Sequence, residues 1–164
     1  MTMEVVKGRD DKILRTVSAP VNGSVTAELR HFAMDMIKTM NAENGVGIAA
    51  PQVGRNIRMV ICKFNPGEAN EVIVPMINPE MVHMGSETVK GEEGCLSLPG
   101  LWGKVDRVTQ LIVRFKNLKG QEQTLELNDF NARIMQHEMD HLNATLFIDR
   151  AEDVEERTKS KKSK

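Results

Sequence analysis

In the stretch Gln136-His137-Glu138-Met139-Asp140-His141-Leu142, His137, Glu138 and His141 could do chemistry together. On a helix, side chains four residues apart leave the same face, so His137 and His141 would present two imidazoles to one point. Two imidazoles so placed can grip one divalent metal, and Glu138 can reach a water bound to it. A metal brings the pKa of such a water down to about 7, making hydroxide available near neutral pH. Glu138 would take the proton and later hand it to a leaving group. Hydrolytic sites of this kind use three protein ligands and keep one position open. A third ligand must therefore come from elsewhere in the chain.

An ordinary peptidase built on His-Glu-x-x-His would place that ligand downstream, but no His or Cys follows His141. His31 and His83 have no partner at ligand spacing. Cys95 is the better donor. In Glu93-Gly94-Cys95-Leu96-Ser97, glycine permits tight backbone approach, and a thiolate with two imidazoles suits a hydrolytic metal. A structural site would be closed by a fourth ligand and would leave Glu138 without a task. Cys62 lies in the apolar run 58–62 and reads as a small buried hydrophobe, and no disulfide to Cys95 is expected.

The stretch Gly45-Val46-Gly47-Ile48-Ala49-Ala50-Pro51-Gln52 is not a dinucleotide fingerprint, since it lacks the preceding strand and the third glycine. Its small residues let the backbone pass close to something. The Gln52 amide is an uncharged donor that suits a developing oxyanion. Taken alone, the segment favours reading Gln52 as a polar loop residue.

These residues need elements to hold them. From Ser24, the spacing of Leu29, Phe32, Ala33, Met36, Ile37 and Met40 predicts a helix, capped by Ser24 or Thr26 and ended at Asn44-Gly45. Residues 57–63 and 72–77 read as strands, the second closed by Asn78-Pro79. Residues 85–103 are rich in glycine and read as an irregular functional loop. Residues 109–116 and 121–127 form a hairpin around Asn117-Leu118-Lys119-Gly120. Asn128 or Asp129 then caps the metal-binding helix, which is apolar on both flanks and therefore buried. The expected organisation is an α+β single domain over residues 1–150, with antiparallel sheets around the central metal-binding helix and an N-terminal helix. Residues 151–164 read as a charged C-terminal tail, a frayed helical end followed by lysines.

The chain has 164 residues, 40% hydrophobic and 27% charged, with formal net charge −1. This balance predicts an ordinary globular domain with no global pull toward nucleic acid or membrane. No apolar run approaches the roughly 20 residues of a membrane span. The acid-bearing N-terminus carries no apolar signal core, so a cytoplasmic location is expected.

Taken in order, the motifs 45–52, 93–97 and 136–142 resemble those of the peptide deformylases, and the resemblance spans nearly the whole chain. It implies a metal-dependent hydrolase that removes the formyl group from formyl-methionine of nascent polypeptides and releases formate. The metal ligands would be Cys95, His137 and His141, and Glu138 the general base and acid. Gln52 and the Leu96 N–H would bind the formyl oxygen. Val46, Gly47, Gly94 and Ile134 would bind the substrate, Gly47 and the segment around Cys95 by strand addition, and Val46 and Ile134 beside the methionine side chain. Phe130 and Trp102 are further candidates there. The resemblance implies ferrous iron, Fe(2+), with Ni(2+) or Zn(2+) as substitutes. A monomer is expected; the lysine-rich tail reads first as a solvated tail, whose charge could also touch the ribosome transiently. The chain departs from the resemblance at Asn143-Ala144, where glycine is usual at the second position; Asn143 is expected to take the left-handed cap.

Overall fold

A computed structural model describes residues 1–158 of the chain. Helix α1 (Ala27–Ala42) starts where the Thr26 hydroxyl accepts from the Leu29 amide. It ends near Asn44, whose φ of 56° reverses the chain. Its apolar stripe, Leu29, Ala33, Met36 and Met40, is buried. That stripe packs on Ile48, Met59, Ile61 and Ile77.

Those partners belong to a five-stranded sheet ordered β1-β2-β3-β6-β7. The strands are β1 (Gly47–Ala49), β2 (Met59–Phe64), β3 (Val72–Met84), β6 (Gln110–Lys116) and β7 (Glu122–Asn128). All neighbouring pairs are antiparallel. Strand β2 shows why the sheet sits centrally. Its residues alternate in direction, yet both faces are apolar. Met59 and Ile61 face α1, whereas Val60, Cys62 and Phe64 join the other cluster with Met135, Met139 and Leu142. These last three come from helix α2 (Asp129–Leu142). The sheet is thus covered by one helix on each face.

Strand β3 runs through Asn78-Pro79 rather than ending there. The register with β6 shifts between Ile77 and Glu80, and Asn78 takes φ 49°. A bulge is where proline is tolerated in a strand, because no ladder amide is required of it. Asn78 Oδ1 also accepts from Val21 N at 2.8 Å, and its amide donates to Val21 O at 2.7 Å, pinning the N-terminal segment.

The expected loop at 85–103 is instead mostly sheet. Strands β4 (Thr88–Cys95) and β5 (Leu98–Val108) form an antiparallel pair, and β8 (Glu152–Glu156) adds to β5. Glycine misled the reading because here it serves close packing, not turning. An added Cβ at Gly91, Gly94 or Gly103 would lie 2.8 Å from Arg133 Cζ, Trp102 Cζ3 or Ala151 Cβ respectively. Strand β8 likewise replaces the expected frayed helix. The free edge of β5 offers it backbone partners, with Arg157 N donating to Gly100 O at 2.6 Å. Cross-strand ion pairs Lys90–Glu152 and Arg157–Glu92 reinforce it. The lysines from Lys159 onward lie outside the described residues.

Helix α2 begins without the expected side-chain cap from Asn128. The Asp129 amide instead donates to Thr109 O at 2.7 Å. At the other end, Thr145 N donates to Asp140 O at 2.9 Å and Ala144 N to His141 O at 3.3 Å. This is the Schellman pattern, and its left-handed position normally takes glycine. That position is Ala144, with φ 59°, not Asn143, with φ −105°. An alanine Cβ in this conformation costs about 1 kcal/mol. Ala144→Gly is therefore expected to stabilise the fold by roughly 0.5–1 kcal/mol, raising Tm by about 1–4 °C, measured by thermal unfolding. An unchanged or lower Tm would show that no strain resides there.

Candidate active site

Helix α2 is held in place by a side chain that imitates a strand. Gln136 Oε1 accepts from Val108 N, and Gln136 Nε2 donates to Val108 O, each at 3.0 Å. This fixes the helix rotation so that His137, Glu138 and His141 turn toward β1 and the β4–β5 hairpin.

The hairpin brings Cys95 to them. The ligand atoms of Cys95, His137 and His141 all lie within 4.8 Å of one another. His141 Nε2 is 3.4 Å from Cys95 Sγ. Bonds of roughly 2.0–2.3 Å in a tetrahedral arrangement put donors about 3.3–3.7 Å apart, so the spacing fits a metal. Donor chemistry agrees: a thiolate and two imidazoles suit borderline divalent ions.

His137 is oriented from behind. Its Nδ1 is 2.8 Å from Glu93 Oε1, which leaves Nε2 for the cluster. Glu93 is buried and would be costly there alone. Arg107 donates to it twice at 2.9 Å, and Arg133 Nη1 donates at 2.7 Å. Burial pushes the Glu93 carboxyl upward, but hydrogen bonds from Arg107 and His137 outweigh it and hold Glu93 at about 2. Arg107 continues to Asp140 at 2.7 Å, and Arg150 also donates to Asp140.

Burial alone would depress both histidines. For His137, hydrogen bonds to Cys95 and Glu93 overcome it and raise its pKa well above the ordinary range. For His141, burial and the neighbouring positive charge of His137 drive the pKa far down. Both imidazoles must be neutral to ligate a metal, so an ion bound here would displace the proton that Cys95 and Glu93 favour on His137.

Glu138 is 4% exposed, and its Oε2 is buried without a hydrogen-bond partner among the described residues. Burial is the main reason its carboxyl is pushed up to about 7. Its place is made by Gly47, where an added Cβ would lie 2.8 Å from Glu138 Cδ. Gln52 is buried, and its Oε1 accepts from Ala49 N at 2.9 Å. Its Nε2 is thereby aimed at Ser97 Oγ, 3.1 Å away, and Cys95 Sγ, 3.5 Å away.

One cleft of about 710 Å³ is lined by Gln52, Cys95, Leu96, His137 and Glu138. Val46, Gly47, Gly94 and Ile134 line it too, as do Phe130 and Trp102. His141 lies beneath, 1% exposed. His31 is on the solvent side of α1, 3.6 Å from Asp35, and His83 is exposed on β3. Sequence reasoning missed Glu93, Arg107, Arg133 and Asp140. The available signal was alternation: along β4, Glu93 shares its direction with Cys95, so a charge there points inward.

The family model described as polypeptide deformylase matches residues 3–157. A peptide deformylase of Acinetobacter baumannii (strain SDF) is 42% identical over 85% of this chain and 77% of its own. That of Endomicrobium trichonymphae is 37% identical over 96% of this chain and 94% of its own. Among solved structures, a ligand-bound class I type b peptide deformylase from Acinetobacter baumannii superimposes with TM-score 0.87 at 40% identity, covering 92% of this chain and 99% of that one. The Thermotoga maritima peptide deformylase gives 0.85 at 36% identity, covering 93% and 99%. The likeness reaches from the N-terminal segment through β8 and so takes in every wall of the cleft: the chain belongs to the polypeptide deformylase family.

Proposed function

We propose that this chain removes the N-terminal formyl group from nascent formyl-methionyl polypeptides, with Cys95, His137 and His141 holding the metal and Glu138 moving the proton. Deformylation of nascent peptides is the activity of its family, whose members are metalloenzymes. The observation that carries the residue roles is the convergence of the donor cluster, a buried carboxyl and an aimed amide on one cleft. Ferrous iron is the ion we favour, with nickel or zinc able to replace it, since thiolate and imidazole suit all three. When bound, the ion supplies Lewis acidity that activates water and polarises the formyl oxygen.

The protein's own groups do the rest. Glu138, pushed up to about 7 by burial, can accept a proton from water and return it to the departing amine near neutral pH. Gln52 offers only its NH2 to the cleft, because Ala49 N holds the carbonyl end. With the Leu96 N–H it would donate to the negative charge that develops on the formyl oxygen. Strand β1 is an edge of the large sheet and β4 an edge of the small one. A peptide laid between them can pair with the backbone of Gly47 on one side and Gly94 on the other as an added strand. Methionine would then fill the apolar side beside Val46 and Ile134. A monomer in the cytoplasm, with a transient ribosome contact through the lysine-rich stretch from Lys159, completes the proposal.

Formate release from formyl-Met and acetyl-Met peptides, measured anaerobically with the iron, nickel and zinc forms, tests this directly. Glu138→Ala should lower kcat by about 10²–10⁴-fold while metal content is retained. Full activity in that variant would remove Glu138 from the mechanism, and equal cleavage of the acetyl peptide would remove the substrate assignment. Cys95→Ser should lose metal on dialysis; retention of a full equivalent would exclude the thiolate as a ligand. Gly47→Ala should displace the Glu138 carboxyl and cost roughly 10²-fold in kcat/KM with circular dichroism unchanged. An unaffected rate would show that the carboxyl does not need the space.

A further inference from the structure

The outward face of the small sheet carries an assembly that the hydrolysis leaves without a task. Trp102 is the only tryptophan of the chain. It pairs with Gly94 across β4 and β5. Its ring fills the space where a Gly94 side chain would stand, 2.8 Å from the built Cβ, and reaches the cleft. It remains 37% exposed.

Strand β8 delivers Arg157 over this ring, its Cζ 5.5 Å from the centroid. Glu92 grips the guanidinium with both oxygens at 2.7 Å, and Glu155 adds a bond at 3.2 Å. Strand alternation puts Glu92, Gly94, Trp102 and Glu155 on the same face of the sheet, with Arg157 joining them just past the end of β8. Glu92 and Glu155 more than offset the Arg157 charge, so the guanidinium is not left free to bind an anionic group of a ligand. What this lip offers a ligand is therefore an apolar ring held in a fixed position.

We infer that Trp102, fixed by Arg157 and Glu92, is a specificity-determining residue that packs against the side chain following methionine and favours large apolar residues over glycine there. The inference rests on the deformylase reading of the cleft. In an extended peptide, successive side chains point to opposite sides. With methionine turned toward Val46 and Ile134, the next side chain turns the other way. The peptide backbone at that step pairs with Gly94, so that side chain meets the ring lying across Gly94. Packing an aromatic or aliphatic group on an indole corresponds to about 3- to 10-fold in kcat/KM.

The test compares formate release from formyl-Met-Leu, formyl-Met-Phe and formyl-Met-Gly peptides by the metal-loaded protein and its Trp102→Ala, Trp102→Phe and Arg157→Ala variants. The wild type should prefer Leu and Phe over Gly by about 3- to 10-fold, and Trp102→Ala should bring that ratio to within about twofold. Trp102→Phe should restore part of it, which a merely structural role would not produce. Because Trp102 is the sole tryptophan, its fluorescence gives a readout independent of turnover. Product peptide Met-Leu should shield it from acrylamide more than Met-Gly does. Arg157→Ala should increase quenching in the free protein. A wild type indifferent to the second residue, a preference that survives Trp102→Ala, or equal shielding by both products would overturn the inference and leave the deformylase reading intact. Absence of formate from every peptide would overturn that reading, and the inference with it.

Discussion

A single buried carboxylate organises the catalytic half of the molecule. Glu93 receives two arginines and one histidine on its two oxygens, and the partners come from two elements: Arg107 from β5, Arg133 and His137 from α2. Removing Glu93 would leave the buried Arg133 guanidinium without a carboxylate partner, at a cost of about 3–5 kcal/mol. The arrangement therefore locks strand to helix. It also decides which nitrogen of His137 faces Cys95, so a structural clamp and the orientation of a ligand are the same set of bonds. Through Arg107 the clamp extends to Asp140, about one turn further along the helix, and from there to Arg150 beyond the helix end.

The cleft owes its form to the two sheets. Each has an edge strand, β1 in one and β4 in the other, and residues of both line the cleft. Open edges are usually a hazard because they invite pairing with other chains. Here they bound a channel whose floor is buried chemistry. Val46, Ile134 and Trp102 line its walls.

Local pattern carried much of this in the sequence. Spacing alone paired His137 with His141, and Gly94-Cys95 stood out as a thiol with room around it. Residues 72–77 and 109–127 were legible because alternation and turn residues act within a few positions. The misreadings share a physical cause. Gly91, Gly94 and Gly103 are explained by Arg133, Trp102 and Ala151, which are distant in sequence, so a strand pair looked like a loop. Strand β8 is a run of acids whose cationic partners, Lys90 and Arg157, are not all near it in the chain. The cap at Ala144 depends on backbone geometry that composition does not reveal. Buried charge was least legible of all, because nothing local distinguishes Glu93 from its exposed neighbour Glu92 except direction along a strand.

The pairing of β8 with β5 has a temporal side. Arg157 meets Glu92 across 65 residues of chain. A polypeptide leaves the ribosome from its N-terminus, so β5 must wait with one edge bare while the central helix emerges. Long-range pairing of this kind forms late and leaves unpaired edges exposed meanwhile. The small sheet that carries the thiol therefore cannot be complete in a nascent copy until the acidic strand has been made.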